Sequence, residues 1–519
     1  MNPIVKRFCR TTSYLSWRIV WLLLVAGLPR VVHAQFTYTT NNGTLTVTGY
    51  NGPGGTVTIP NLANNYRVTA IAPFAFNQVD TMTNLIIGTN VGIIGTNAVY
   101  QCSALITASI PGSATNIGDG PFFDCQKLLA LTMVTNAYYI TTNGMLMNRS
   151  HTSLIQFPGG VGGTFILPGS VTNISLSLIG NTLSSNAVDP ANTIYSATNG
   201  VLFDKNLTVL YAYPGGLGGF YNVPTNASLK IILSASFEYS PAITGVHIGT
   251  NITTIGYGAF YSCLSLTNIA VNNNNAFYFT TNGVLFDHSK SILIQYPAGL
   301  PGSYTVPSTV TNISDGAFGD SFYLTSVIIP NTVTNLGFDS FYACENLASI
   351  VIGNAVRVIG ADSFFLCTNL TSVIIPGSVT NIGAYAFGGC FALSSACFQG
   401  KPPTDGGNLF YFDNLLTSIL YVSGNTGWTA TYDGINTAPC TTCGGTTSNL
   451  PKLAIARSGT NVILSWASSF TGYSLEYTTN LAPLSAWKTN TPAPTVINSL
   501  YVATNALSSS TRKYYRLIQ

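Results

Sequence analysis

Charge is scarce in this chain. Of 519 residues, 19 are lysine or arginine and 16 are aspartate or glutamate, 7% in all, against roughly 25% in ordinary globular proteins. A surface so poor in charge must be built from Ser, Thr, Asn, Gly and Tyr, and it exerts little long-range steering on a partner. Histidine is rarer still, with four in the chain. His151, His247 and His288 sit in unrelated settings, none in the H-E-x-x-H spacing that places two ligands on one helix face. There is no G-x-S-x-G elbow, no phosphate-cradling loop and no D-x-D-x-D-G calcium loop. The "NNNN" at Asn272 to Asn275 is neutral and reads as a turn. Carboxylates are too few and scattered to nominate a glycosidase pair. These absences lead us to expect no enzyme: no catalytic residue, no cofactor and no metal site.

Core material is plentiful, with 46% apolar and 12% aromatic residues, which excludes a disordered chain. At the N-terminus, Lys6, Arg7, Arg10 and Arg18 precede the apolar run "IVWLLLVAGL", and "VHA" at Val32 to Ala34 places small residues before Gln35. This is the pattern of a cleaved secretory signal over residues 1–34. The run is short for a membrane span, which needs about 20 apolar residues, so no integral membrane segment is expected after cleavage. No cysteine follows at a lipidation position. Cleavage would remove five basic residues and no acid, leaving 14 Lys and Arg against 16 Asp and Glu. Nothing then points to nucleic acid as a partner.

The chain repeats itself. "LTSVIIPNTVTNLGFDSFYACEN" begins at Leu324, "LASIVIGNAVRVIGADSFFLCTN" at Leu347 and "LTSVIIPGSVTNIGAYAFGGC" at Leu370, each start 23 residues after the last. The register recurs at Met82, Leu105 and Ile243. A period of 20 to 29 residues opening on an L-x-x-L-x-L-like pattern marks a leucine-rich solenoid. Alternation points Leu370, Val373 and Ile375 inward and Ser372 and Ile374 outward, as in a strand. Val379 and Ile382 supply a second inward pair, and Ala386, Phe387 and Cys390 return to the core through a tight turn, expected to be helical or 3₁₀. One coil cannot bury these residues alone, so each repeat is stabilised by its neighbours.

Ten cysteines would suggest disulfides in an exported chain. Cys102, Cys125, Cys263, Cys344, Cys367 and Cys390, however, share one repeat position. Stacking gives them parallel Cβ vectors at about the 4.8 Å strand spacing, which is poor disulfide geometry. We read them as buried free thiols. Cys440 and Cys443, a single C-x-x-C, are weak evidence for zinc, and a local disulfide or no function is the better reading.

The 23-residue units, with proline, V-x-x-I pair, Ala-Phe pair and cysteine in register, resemble the BspA-type leucine-rich repeats of bacterial surface and secreted proteins. Three longer units carry the family's "NGVLF"-like hairpin: "TTNGMLMNRSHTSLIQFPGG" from Thr141, "ATNGVLFDKNLTVLYAYPGG" from Ala197 and "TTNGVLFDHSKSILIQYPAG" from Thr280. Asn-Gly beside an alternating strand is a strong turn signal. The resemblance implies a mainly β fold, a right-handed solenoid over residues 35–437, with repeats from about Thr56 and an irregular cap at about 396–437 ending near "LYVSGNTGW". The Asn-x-Ser/Thr triplets arise from the repeat's own turn. Residues 438–449 read as a linker. Residues 450–519 carry alternating runs, "NVILSW", "YSLEYTTN" and "KYYRLIQ", spaced as in a small β-sandwich, and look similar to fibronectin-like modules. Trp466, Trp487 and Tyr515 are expected in its core.

For function, the resemblance implies a secreted or cell-surface recognition or adhesion protein that binds an extracellular protein or polysaccharide. The alternative is a structural envelope or matrix component that self-associates. The candidate contact surface is the outward strand position, Ile86, Ser109, His247, Ala270, Ile328, Val351 and Ile374, which stacking would turn into a ridge bordered by Ser326, Ser349 and Ser372. Its sharpest part is Ile328, Val351 and Ile374, supplied by consecutive coils. The same β-branched residues would also appear there for strand propensity alone.

Overall fold

The computed structural model of this chain describes residues 35–441, apart from 175–177, 179–181 and 227, and within the tail residues 453–458, 461–467, 474–479, 488–491, 493–497, 500–506 and 513–518. The signal segment, Cys443, most of the expected linker and Trp487 lie outside the described residues. No α-helix occurs among them, and no helix there is long and apolar enough to cross a membrane.

Each short coil has three sides. On the first, strands Leu324–Ile328 and Ser349–Val351 run parallel, pairing Ser326 with Ser349, Val327 with Ile350 and Ile328 with Val351. On the second, the two-residue strands Asn335–Leu336, Val358–Ile359 and Asn381–Ile382 pair in parallel at the same 23-residue offset. Leu324, Leu347 and Leu370 are buried in one continuous core, as are Val379, Ile382, Ala386, Phe387 and Cys390. The alternation seen in the sequence is therefore the alternation of the coil.

The third side differs from expectation. In the coils of residues 302–417 it is built of turns, with neither α-helix nor 3₁₀-helix. Two residues per corner, four apart, are left-handed: Asp339 and Ala343 (φ 52° and 51°), Asp362 and Leu366 (53° and 61°), Tyr385 and Gly389 (55° and 69°). A left-handed residue at that spacing stops a right-handed helix from propagating. The backbone bonds to the next coil instead. Phe341 N–H donates to the Ser363 carbonyl at 2.7 Å, and Phe364 N–H to the Ala386 carbonyl at 2.7 Å. Inside this corner the aromatic rings stack, Phe318 on Phe341 at 4.5 Å, then Phe341 on Phe364 and Phe364 on Phe387 at 5.1 Å each.

The longer units form hairpins where Asn-Gly pairs predict them. Thr142 pairs with Met145, Thr198 with Val201 and Thr281 with Val284. Both turn residues have positive φ, for example 51° at Asn282 and 79° at Gly283, as a type I′ turn requires. Two further hairpins turn on Asn42-Gly43 and Asp433-Gly434. Each long unit is entered through a buried asparagine. Asn275 Nδ2 donates to the carbonyls of Gly249 (2.8 Å) and Ile252 (3.0 Å), and its Oδ1 accepts from the amides of Phe277 (2.8 Å) and Tyr278 (2.9 Å). Asn192 and Asn136 do the same one and two long units earlier.

The last coil closes the core with Trp428, whose ring stacks on Tyr421 at 5.0 Å and whose Nε1 donates to the Gly400 carbonyl at 3.0 Å. Strand Ile435–Cys440 pairs with Ser418–Val422 and so carries the sheet three residues beyond Thr437. In the tail, Ala454–Ser458, Asn461–Ala467, Leu500–Ala506 and Thr495–Ile497 form one antiparallel sheet, and Lys488–Thr489, Ser474–Thr478 and Tyr514–Ile518 another. Leu464 and Trp466 of the first share a core with Leu475 of the second, with Tyr515 packed against it.

Candidate functional site

The outward strand position faces solvent to different degrees. Val351 is 44% exposed and Ile86 equally so, whereas Ile328, Ile374, His247, Ser109 and Ala270 are half-buried. Ile328 and Val351 are register partners. Ile374 begins a separate ladder, where it pairs with Cys397, because no ladder joins Ser349–Val351 to Ser372–Ile375. His247 lies in a third sheet, between Asn222 and Ala270. Of the serines, Ser349 and Ser372 are exposed and Ser326 half-buried. The structure thus brings Ile328, Val351, Ser326 and Ser349 together and leaves His247 apart.

The turn corners carry a second arrangement that the repeat pattern did not reveal. The hairpin-bearing coils lack the turn corner, so corners far apart in sequence meet across them. Gln101 Nε2 donates to the hydroxyl of Tyr239 at 2.6 Å, and the rings of Phe123 and Tyr239 stand 6.3 Å apart. Across the third long unit, Ser262 Oγ donates to Asp320 and the Tyr257 hydroxyl to Asp339 Oδ2 at 3.4 Å. Acids gather along this seam. Burial pushes Asp124 up to about 6 and Asp320 up to about 7. Burial also pushes Glu238 well above the carboxylate range, with the charges of Asp124 and Asp320 adding to it. Asp339 rises to about 8, again by burial first and then by the charge of Asp362. The neighbouring charges acting on these acids are acidic; none is a lysine or arginine. A 23-residue alignment shows only the near neighbours of a corner, so no signal in the sequence paired Gln101 with Tyr239.

The six repeat cysteines are buried and free. Each thiol donates to a carbonyl 26 residues earlier, such as Cys367 to Phe341 at 3.3 Å and Cys390 to Phe364 at 3.2 Å. Burial holds the thiols of Cys367 and Cys390 well above their ordinary value, the opposite of a reactive thiol. Cys440 is also free and lies 3.6 Å from the sulfur of Cys397, which is disulfide-bonded. The pairing of Cys440 with Cys443 expected from the sequence involves a residue outside the described residues. No group of side chains suited to a metal ion is found among the described residues.

The family model for the BspA type leucine rich repeat region, in six copies, matches residues 55–161, 219–293 and 302–417, more than half of the chain. Three solved structures are similar. A leucine rich cell surface protein from Faecalibacterium prausnitzii is 23% identical, with 76% of this chain and 94% of that one covered and a TM-score of 0.40. The pneumococcal vaccine antigen PcpA is 16% identical, with 78% and 92% covered and a TM-score of 0.38. A leucine-rich repeat protein from Eubacterium ventriosum is 19% identical, with 76% and 77% covered and a TM-score of 0.32. No curated protein matches the chain.

Proposed function

Because the chain belongs to the BspA-type leucine-rich repeat family, we propose that it is a non-enzymatic recognition protein that binds an extracellular protein or polysaccharide through a face of its solenoid. The observation that carries this reading is the outward strand column, where Ile328 and Val351 are register partners, bordered by Ser326 and Ser349. A side chain placed there points away from the core, so its exposed part is free to serve a partner. Ile374 extends the surface in the next coil. We assign residues 1–34 to an export signal, 35–437 to the solenoid with its cap, 438–449 to a linker and 450–519 to a second, β-rich domain, and place the protein at the cell surface or outside the cell.

The test is a binding screen of residues 35–519 against extracellular matrix proteins and polysaccharides. Saturable binding at a fixed stoichiometry supports the reading. Ordered self-assembly of the purified chain with no ligand supports a structural component instead. N-terminal sequencing of protein exported from the full chain should begin at Gln35.

A further inference from the structure

The seam of turn corners borders an open cavity of about 260 Å³, away from the strand face. It exists because the hairpin-bearing coils omit this corner, so walls meet that are remote in sequence: Gln101 and Gln126 from one stretch, Tyr239 from the next, Asp320, Phe322 and Glu345 from beyond the third long unit. We propose that this cavity binds a neutral hexose unit of a glycan. The proposal deepens the recognition reading and rests on it, naming a ligand class and a site that the strand face does not supply.

The lining matches the two sides of a pyranose. A sugar ring presents apolar C–H faces and a rim of hydroxyls, each both donor and acceptor. Tyr239 and Phe322, the latter 39% exposed at the cavity, offer apolar aromatic surface. Gln101, Gln126, Asp320 and Glu345 offer four planar polar groups that can engage adjacent hydroxyls. Two of these groups are already oriented. Gln101 accepts from Gln78 at 3.0 Å while donating to Tyr239, and Gln126 donates to Asp124 at 3.0 Å. Pre-orientation lowers the ordering cost of binding.

Other ligand classes fit less well. An anion meets the carboxyls of Asp320 and Glu345 with no basic side chain in the lining. A purely apolar molecule would displace water from four polar groups and leave their remaining donors and acceptors unmet. A lysine side chain would suit the carboxyls but not the amide N–H donors of the two glutamines. The Asp320 carboxyl, raised to about 7 by burial, is present near neutrality in protonated and ionised forms, so it can donate to a hydroxyl as well as accept.

Calorimetric titration of residues 35–519 with maltotriose, cellotriose, mannotriose and N-acetylchitotriose, and with a Gly-Gly-Lys-Gly-Gly peptide, tests the assignment. At least one trisaccharide should bind with a Kd of about 1 mM or tighter. Phe322→Ala and Glu345→Gln should each weaken it by about tenfold, 1.4 kcal/mol, at an unchanged melting temperature. Both residues are exposed at the cavity mouth, so folding should survive. Failure of every trisaccharide, unchanged affinity in both variants, or binding of the lysine peptide alone would overturn the proposal. A partner captured through the strand face while all four sugars fail would remove this site and leave the recognition reading standing.

Discussion

The side-chain amide of Gln101 donates a 2.6 Å hydrogen bond to the hydroxyl of Tyr239, a residue 138 positions further along the chain. In a solenoid each coil ordinarily supports only its neighbours, so this bond couples regions that two hairpin-bearing coils keep apart. A double-mutant cycle with Gln101→Ala and Tyr239→Phe should give a coupling of about 1 kcal/mol in denaturant unfolding. Additive single effects would mean that the seam is contact without coupling.

Asp413 occupies the cysteine position of the capping coil, where it is 5% exposed. Burial raises its pKa from 3.8 to about 8. The folded protein thus keeps a proton that the unfolded chain releases near pH 4, so stability falls as pH rises from about 4 to about 8 and levels off above that. Asp413→Asn removes the titration and should flatten this part of the profile. Identical slopes for the two proteins would show that Asp413 does not set it.

Two positions of the cysteine column carry serine, Ser240 and Ser321, each fully buried with an unpartnered hydroxyl. Ser321→Cys should therefore stabilise by about 1 kcal/mol, and Cys367→Ser should destabilise by about 1 to 3 kcal/mol. Thermal unfolding under reducing conditions measures both. The opposite signs would refute burial of the thiol as the reason for the column. Intact-mass alkylation without reductant should find Cys344, Cys367 and Cys390 all free.

Asn275 satisfies four backbone groups at the entry to the third long unit. Asn275→Ala leaves two carbonyls and two amides without that partner and should cost about 2 kcal/mol or more. Asn275→Asp keeps the acceptor and loses the donor, so it should fall between. A neutral alanine variant would mean that water replaces the side chain fully.

The short coils were legible in the sequence because one coil's contacts repeat in the next. Leu324, Leu347 and Leu370 could be placed in the core from alternation and period alone. So could the hairpins at Asn143, Asn199 and Asn282, since Asn-Gly has a backbone reason to turn. The same signal marks Asn42-Gly43 and Asp433-Gly434, which lie outside the 23-residue register. The corner was misread as helical because Ala, Phe and Tyr are compatible with helix, while the left-handed residues at Asp339 and Ala343 depend on hydrogen bonds to the next coil. Asn275 reads as a loop residue until the two carbonyls it meets, both more than 20 positions away, are known. The seam was invisible for a stronger reason: it joins Gln101 to Tyr239 through a gap whose size depends on how the long units stack. The outward column was legible as a position, and its division between ladders at Val351 and Ile374 was not.

The recognition account turns on the outward column, and one measurement addresses it. The triple variant Ile328→Thr, Val351→Thr, Ile374→Thr keeps β-branched side chains in the strands and should retain the parent's melting temperature to within a few degrees. Its affinity for the partner identified in the screen, measured beside the parent, should fall by at least about tenfold. Equal affinity in a correctly folded triple variant would contradict the account and exclude this face as the contact surface.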